Sequence, residues 1–266
     1  MQIKDSVFVV TGGGNGIARE VVLELLRRGA RVAAVDLSET GLAETAALAA
    51  AGDRLTTHVV DITDRPAVEK LPDAVQQAHG TVDGLLNVAG IIHRFARVND
   101  LTFDEVEKVM NVNFWGVLNT TKAFLPALLE RPAASIVNVS SMGALAPVPG
   151  QAAYGASKAA VKLLTEALYA ELRGTNVAIT VVFPGGVGTN IMGNSGVQMK
   201  RTAESAGTGS SLTTPADAGR HIVDAVERGA FRVTIGKDAR MLDRLSRLMP
   251  QRAAGLIADR MKSLLD

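Results

Sequence analysis

Residues 7–36 read VFVVTGGGNGIAREVVLELLRRGARVAAVD, and this stretch decides the fold. The apolar run 7–10 predicts a β-strand, and a glycine-packed turn follows it. Residues 17–28 have the apolar spacing of an amphipathic helix, and 32–35 form a second apolar strand. A strand, a crossover helix and a second strand make a βαβ unit, which implies parallel strand pairing.

The turn has the features of an anion-binding site. Gly12, Gly13, Gly14 and Gly16 let the backbone turn tightly and approach a ligand, and exposed N–H groups with the helix N-terminus suit a pyrophosphate. Asp36 follows Gly12 by 24 residues, where a carboxylate can accept both hydroxyls of an adenosine ribose. We therefore expect a dinucleotide site. A glycine-rich loop without a ligand is the alternative interpretation.

The alternation of strands and helices continues along the chain. Further strands are predicted at 56–60, 84–88, 135–139, 178–183 and 232–235. We expect seven parallel strands with helices on both faces, an α/β Rossmann-type three-layer sandwich with a doubly wound sheet. No internal repeat or interdomain linker interrupts the pattern, so residues 1–266 are expected to form a single dinucleotide-binding domain.

A second motif indicates proton-transfer chemistry. Tyr154 and Lys158 lie in QAAYGASKAAV, and Ser141 precedes Tyr154 by thirteen residues. Residues four apart share one helix face, where an ammonium group can favour a phenolate. Lowering a tyrosine pKa from ~10 by about three units requires roughly 4 kcal/mol, and Lys158 is the obvious source. Two exposed helix residues are the alternative reading of this pair.

The turn reads T-G-x-x-x-G-x-A from Thr11, and together with Tyr154 and Lys158 it resembles the classical short-chain dehydrogenase/reductase family over nearly the whole chain. The resemblance implies an oxidoreductase acting on a CH-OH group, with the catalytic set Asn113, Ser141, Tyr154 and Lys158. It implies these cofactor-binding residues: Thr11, Gly12, Gly14, Asn15, Gly16, Ile17, Asp36, Leu37, Asp61, Ile62, Asn87, Ala89, Gly90, Tyr154, Lys158, Pro184, Gly185, Val187 and Thr189. One departure is Ala18, where the family has its last glycine; we expect a slightly wider turn.

The family mechanism assigns a role to each member of the catalytic set. Tyr154 would exchange a proton with the substrate oxygen while hydride passes to or from the nicotinamide. Lys158 would lower the tyrosine pKa and hold the nicotinamide ribose, and Ser141 would hydrogen-bond the same substrate oxygen. Asn113 would fix a water molecule that links Lys158 to solvent.

The preference between NAD and NADP is predicted from the residues at the end of the second strand. Asp36 would repel the 2′-phosphate of NADP, and neither Asn15 nor Leu37 supplies a basic group for it. NAD is therefore expected over NADP, in an enzyme that interconverts a secondary alcohol and a ketone. An NADPH-dependent 3-oxoacyl-type reductase and a non-catalytic dinucleotide-binding protein are the alternatives.

Composition narrows the function classes. With 266 residues, 47% hydrophobic and 4% aromatic, the chain suits one α/β domain with a large aliphatic core. A net charge of +1 implies no charge-driven nucleic-acid or membrane partner, and the absence of cysteine excludes disulfides and thiolate-bound zinc. The four histidines lack metal-ligand spacing and are expected mostly at the surface, so no metal is predicted. The polar start MQIKDS is unlike a signal peptide, and a cytoplasmic location is expected.

Two segments depart from the regular alternation. The resemblance places Pro184, Gly185 and Thr189 of PGGVGT on a loop beside the nicotinamide, called here the nicotinamide loop. Residues 187–214 are rich in glycine and serine and directly follow its start, which favours a substrate lid over a disordered surface loop. Residues 237–266 carry an apolar stripe at helical spacing, broken by Pro250. We expect this C-terminal helical extension to pack on its own domain or on a partner subunit, in preference to a membrane surface.

The substrate pocket and the assembly are predicted from apolar side chains. The expected pocket walls are Ile92, His93, Phe95, Met142, Ala144, Val148, Gln151, Gly186, Ile191 and Met192. With Arg94 as the one candidate cation, these walls favour a small hydrophobic alcohol or ketone as the substrate.

Helices at 102–130 and 154–173 resemble the family's four-helix interfaces, which suggests a homotetramer, or else a dimer. The interface candidates are Phe114, Leu118, Phe124, Leu128, Leu163, Leu164 and Leu168.

Overall fold

A parallel β-sheet forms the centre of the computed structural model, which describes residues 1–196 and 212–260. Within these ranges the strands are β1 (Val7–Thr11), β2 (Arg31–Asp36), β3 (Leu55–Val59), β4 (Gly84–Asn87), β5 (Ala134–Val139), β6 (Val177–Pro184) and β7 (Arg232–Ile235). Their order is β3-β2-β1-β4-β5-β6-β7, and every pairing is parallel. The predicted seven-stranded doubly wound sheet is confirmed.

Helices cover both faces of the sheet. They are α1 (Gly16–Arg27), α2 (Glu39–Ala49), α3 (Arg65–Glu69), α4 (Leu71–His79), α5 (Phe103–Met110), α6 (Gly116–Leu129), α7 (Ala152–Glu171), α8 (Ile191–Asn194), α9 (Pro215–Arg228), α10 (Lys237–Leu248) and α11 (Pro250–Arg260). Strand β1 shows why two layers form. Phe8 and Val10 pack into one apolar core and Val7 and Val9 into the other, because successive side chains of a strand point to opposite faces.

The strand order reverses at β1, which pairs with β2 on one side and β4 on the other. Connections from these strands therefore leave in opposite directions and open a crevice at the carboxyl ends of the sheet. This crevice is where the glycine turn after β1 lies.

The helix predicted over 102–130 is not continuous. Helix α5 ends at Met110, a π-helical turn spans Asn111–Trp115, and α6 begins at Gly116. A π-turn inserts extra backbone into a helix without breaking its axis, and such turns occur often at functional sites. Here the turn contains Asn113, which is fully buried.

Several residues proposed for a subunit interface belong to the protein's own core. Phe124, Leu128 and Leu168 are buried against the sheet, so they cannot supply an interface as expected. Leu163 is 67% exposed on α7. Other large apolar side chains exposed on α5, the π-turn, α6 and α7 are Phe103, Trp115, Leu129 and Tyr169.

The C-terminal extension folds back on its own chain. Leu242 of α10 and Ile257 of α11 are buried together with Ala146, and Met142 packs against them. Residues 261–266 of the predicted extension lie outside the described residues. In the part of the chain that the structure describes, no helix has the length and apolar character needed to cross a bilayer.

Candidate active site

A cavity of 1030 Å³ lies at the carboxyl edge of the sheet. It brings together Gly12, Asn15, Gly16, Ile17, Asp36, Leu37, Asp61, Ile62, Ala89, Gly90, Ser141, Tyr154, Lys158, Pro184, Gly185, Val187 and Thr189 from the predicted site. Four other predicted residues, Thr11, Gly14, Asn87 and Asn113, are not part of its wall. The structure places them in contacts that support the wall.

The glycine turn packs closely against Ala89, which lies just after the end of β4, a neighbour of β1 in the sheet. Gly12 has φ of +78°, and a Cβ on it would lie 2.9 Å from the Cα of Ala89. The N–H groups of Gly12 and Gly13 donate to the carbonyl of Val35 at 2.8 and 3.1 Å. They therefore hold the turn to β2, and the expectation that they face an anion is wrong.

The anion-binding capacity of this turn resides at the start of α1. Gly16, Ile17 and Ala18 begin the helix and line the cavity. The first N–H groups of a helix have no intrahelical partner, and the helix dipole favours an anion there. This backbone fits a dinucleotide pyrophosphate.

Asp36 lies on the cavity wall at the end of β2. Its Oδ2 accepts from the Gly14 N–H and its Oδ1 from the Ser38 N–H, each at 2.9 Å. These two bonds fix the carboxylate, and each ionised oxygen retains a further lone pair for a ribose hydroxyl. Leu37 beside it is 69% exposed and adds no charge.

Tyr154 and Ser141 meet where α7 begins near the end of β5. Burial raises the pKa of Tyr154 above its ordinary value, and the hydrogen bond with Ser141 opposes this only in part. Ser141 Oγ accepts from the Gly143 N–H at 3.0 Å, which leaves its hydroxyl hydrogen available for donation. At neutral pH the tyrosine is therefore a neutral phenol.

The expectation that Lys158 lowers the tyrosine pKa stays a prediction. In the structure Lys158 Nζ donates to the carbonyl of Val139 at 3.0 Å, so its charge is directed to the end of β5. The residue is 3% exposed, and burial lowers its own pKa to about 8. Lys158 is thus a buried cation that is close to titrating under physiological conditions.

The side-chain amide of Asn113 is hydrogen-bonded to other residues of the protein. Its Oδ1 accepts from the Ile91 N–H, and its Nδ2 donates to the Ile91 carbonyl and to Ser157 Oγ, all at 2.9 Å. A Cβ on Gly90 would lie 3.0 Å from Lys158 Nζ and 3.3 Å from Asn113 Oδ1. Asn113 therefore fixes the loop after β4 next to Lys158, while its predicted hold on a water molecule stays a prediction.

Thr11 and Asn87 form a rigid support beneath the cavity. Thr11 Oγ1 accepts from the Val88 N–H at 3.2 Å. Asn87 donates to Asn138 Oδ1 at 2.9 Å and accepts from the Thr120 hydroxyl at 2.8 Å. Because these side chains are satisfied within the protein, they position the loop after β4 and do not face the cavity.

The substrate end of the cavity is largely as predicted. Ile92, Phe95, Met142, Val148, Gln151, Gly186, Ile191 and Met192 line it, whereas His93 and Ala144 do not. Arg94 pairs with Glu105 at 2.7 Å and is half exposed, so it is not a cation of the pocket. Sequence reasoning missed Lys108, which does line the cavity. The expectation that most histidines lie at the surface is wrong, because His79 is buried like His93, and His58 and His221 are partly buried.

Asp238 was also missed, although it contacts the predicted nicotinamide loop. Its Oδ2 accepts from the Gly186 N–H at 2.7 Å, and a Cβ on Gly185 would overlap its carboxylate. Gly185 N–H also donates to the carbonyl of Ile235 at 2.8 Å. The first turn of α10 thus holds this loop, and no motif near residue 238 indicates it.

The predicted lid is described only at its two ends. Val187 and Thr213 form an isolated parallel bridge, and Gly188 N–H donates to the Thr213 carbonyl at 3.0 Å. Residues 197–211 of the predicted segment 187–214 lie outside the described residues.

Comparison with known proteins agrees with this architecture. The family model described as short chain dehydrogenase matches residues 6–200. The protein named "Putative oxidoreductase SadH" from Mycobacterium tuberculosis is 38% identical over 259 residues, 95% of this chain and 94% of the relative. A short-chain dehydrogenase/reductase from Burkholderia phymatum, solved with NAD, superposes with a TM-score of 0.86 at 26% identity over 96% of this chain and 97% of that one. A short chain dehydrogenase from Burkholderia cenocepacia, solved with NADP, gives a TM-score of 0.80 at 28% identity, covering 98% and 99%.

Proposed function

This chain belongs to the short-chain dehydrogenase/reductase family of oxidoreductases, and from that premise we propose that it interconverts a secondary alcohol and a ketone with NAD. One observation carries the proposal. The side chains of Tyr154 and Ser141 lie next to each other, both within 3.6 Å of a Cβ built on Gly143, on the wall of a cavity that also contains the glycine turn and Asp36. Two hydroxyl groups can thus act together on one substrate oxygen.

Tyr154 is the proton donor and acceptor in this proposal. As a neutral phenol it can give a proton to a carbonyl oxygen. In the opposite direction it first releases its own proton to solvent, and the phenolate then takes the proton of the alcohol. Ser141, whose oxygen already accepts from Gly143, donates its hydrogen to the same substrate oxygen and offsets the developing charge. The bound nicotinamide supplies or accepts the hydride.

Lys158 provides the positive charge that the phenolate needs. With a pKa of about 8 it is mostly protonated at neutral pH, although it is buried. In the proposed site it binds the nicotinamide ribose and stabilises the tyrosine anion while the proton is away. Asn113 holds the loop after β4 against it and so fixes the position of the charge.

Asp36 supports NAD over NADP. Its carboxylate is fixed by two backbone N–H groups on the cavity wall, where it would repel a 2′-phosphate. Solved structures similar to this chain contain NAD in one case and NADP in another, so the preference proposed here rests on Asp36 and its uncharged neighbour Leu37.

The organisation around the site is part of the proposal. Residues 1–266 form one domain, residues 187–214 act as the lid, and residues 237–266 are the C-terminal extension. A homotetramer, with a dimer as the alternative, would cover the exposed side chains Phe103 and Leu163. Light scattering at micromolar concentration tests this, and a monomeric mass would refute it. A cytoplasmic location stays a prediction.

A substrate panel tests the activity. Purified protein is incubated with NAD or NADP and a set of secondary alcohols, and the absorbance of the reduced nicotinamide is followed. Turnover of alcohols with NAD supports the proposal. Turnover confined to a 3-oxoacyl thioester with NADPH would favour a 3-oxoacyl-type reductase. Dinucleotide binding without turnover of any substrate would favour a non-catalytic protein.

A further inference from the structure

Gln151 is a polar side chain within an otherwise apolar part of the cavity wall. It is 4% exposed and occupies the N-cap position of α7, three residues before Tyr154, without a side-chain capping bond. It lines the same cavity as Tyr154 and Ser141.

The orientation of the Gln151 amide is fixed by chemistry. Its Nε2 donates to the backbone carbonyl of His93 at 2.7 Å. A carbonyl oxygen can only accept, so the reverse orientation would place two oxygen atoms in contact. Oε1 consequently points away from this carbonyl, and it is buried without a hydrogen-bond partner among the described residues.

A neighbouring side chain is another buried acceptor. The His93 Nδ1 donates to the carbonyl of Arg94 at 2.6 Å, which places the ring proton on Nδ1. In the neutral ring Nε2 is then an acceptor, and it too has no partner within the described part of the chain. Gln151 Oε1 is thus a buried acceptor without a partner beside His93, while Nε2 of the same amide keeps a second hydrogen that can donate.

The other side chains on this part of the cavity wall indicate which substrate groups the acceptor can bind. Ile92, Phe95 and Val148 are apolar, and Arg94 is paired with Glu105 away from the cavity. A substrate carboxylate directed at Gln151 Oε1 would face a carbonyl oxygen, and the cations that line the cavity, Lys108 and Lys158, come from α5 and α7. A hydroxyl or an N–H group would instead satisfy Oε1, since a buried acceptor without a partner is unfavourable.

We propose that Gln151 is a specificity-determining residue that accepts a hydrogen bond from a second donor on the substrate. This inference rests on the proposed function. The favoured substrates are alcohols with a hydroxyl group on the adjacent or next carbon, and the corresponding hydroxyketones. In the oxidation of such a diol one carbinol carbon loses hydride to NAD and its hydroxyl proton to the Tyr154 phenolate, while the second hydroxyl keeps its hydrogen and hydrogen-bonds to Gln151 Oε1.

Matched substrates test the idea. Wild-type enzyme and the Gln151→Leu variant are assayed with NAD on butane-2,3-diol against butan-2-ol, and on cyclohexane-1,2-diol against cyclohexanol. We expect wild-type kcat/KM to favour each diol by at least about tenfold, because a site built for a hydroxyl rejects the analogue that lacks it. In Gln151→Leu the kcat/KM for the diol should fall at least about tenfold more than the kcat/KM for the simple alcohol.

Gln151→Asn is the conservative control, since it keeps both the amide donor and the acceptor and should retain part of the preference for the diol. NAD affinity and melting temperature report whether each variant is folded. Equal use of diol and simple alcohol by the wild-type enzyme would overturn the inference even if a variant fails to fold. An equal loss for both substrates in folded Gln151→Leu would also overturn it. Absence of turnover with every alcohol and either cofactor would instead refute the proposed function.

Discussion

The strongest structural prediction concerns Asn113→Ala. The substitution removes three hydrogen bonds of 2.9 Å in a buried site. The Ile91 N–H, the Ile91 carbonyl and the Ser157 Oγ each lose the bond that Asn113 made to them. At about 1 kcal/mol for each bond, and somewhat more for orphaned buried groups, the free energy of unfolding should fall by roughly 3–4 kcal/mol. At roughly 2–4 °C per kcal/mol, the melting temperature should drop by roughly 6–15 °C.

Thermal and urea unfolding measure this change. The matched control is Asn119→Ala on the adjoining helix, which removes a single bond to the Ile62 carbonyl at 3.1 Å and should cost about 1 kcal/mol. If Asn113→Ala is no less stable than Asn119→Ala, the assignment of Asn113 as the residue that fixes the loop after β4 is wrong.

Four further predictions follow from the site. Tyr154→Phe should lower kcat at least ~100-fold while NAD still binds, and near-normal turnover would exclude Tyr154 as the proton donor. Asp36→Ala combined with Leu37→Arg should shift kcat/KM toward NADP; a wild-type enzyme that uses NADP as well as NAD would contradict the role of Asp36. Burial lowers the pKa of Lys158 from 10.5 to about 8. Between these two pH values the unfolded chain keeps a proton on Lys158 that the native protein has lost. The free energy of unfolding therefore rises with pH over this range because of Lys158. Lys158→Met should abolish that rise in urea unfolding, and an unchanged pH slope would count against the buried cation. Asp238→Ala should raise the KM for NAD more than it lowers kcat, while Asp238→Asn, which keeps an acceptor for the Gly186 N–H, should be close to wild type; equal effects of the two would deny that bond a role.

The sheet could be predicted from the sequence because apolar runs of strand length recur between helical segments. The glycine turn and Asp36 were also predictable, since they lie within one local βαβ unit. The π-turn around Asn113 was not, because NVNFW is equally compatible with a regular helix. The raised pKa of Tyr154 was missed because burial depends on packing by distant segments. The face of α6 and α7 that packs on the sheet was misjudged for the same reason, since Phe124 and Leu128 gave no sign of which neighbour covers them.

The contact between Asp238 and Gly186 joins residues 52 positions apart, and it reaches beyond the region that defines the family, which ends at residue 200. The predicted nicotinamide loop is therefore held from a part of the chain that lies beyond the match to the family model. Substitutions in that C-terminal part can alter how firmly the loop is held while every motif residue stays the same. Homologues with identical catalytic residues can then diverge in cofactor affinity or in the rate of product release. Exchange of C-terminal segments between relatives is accordingly a route by which such enzymes could be retuned, in evolution or by design.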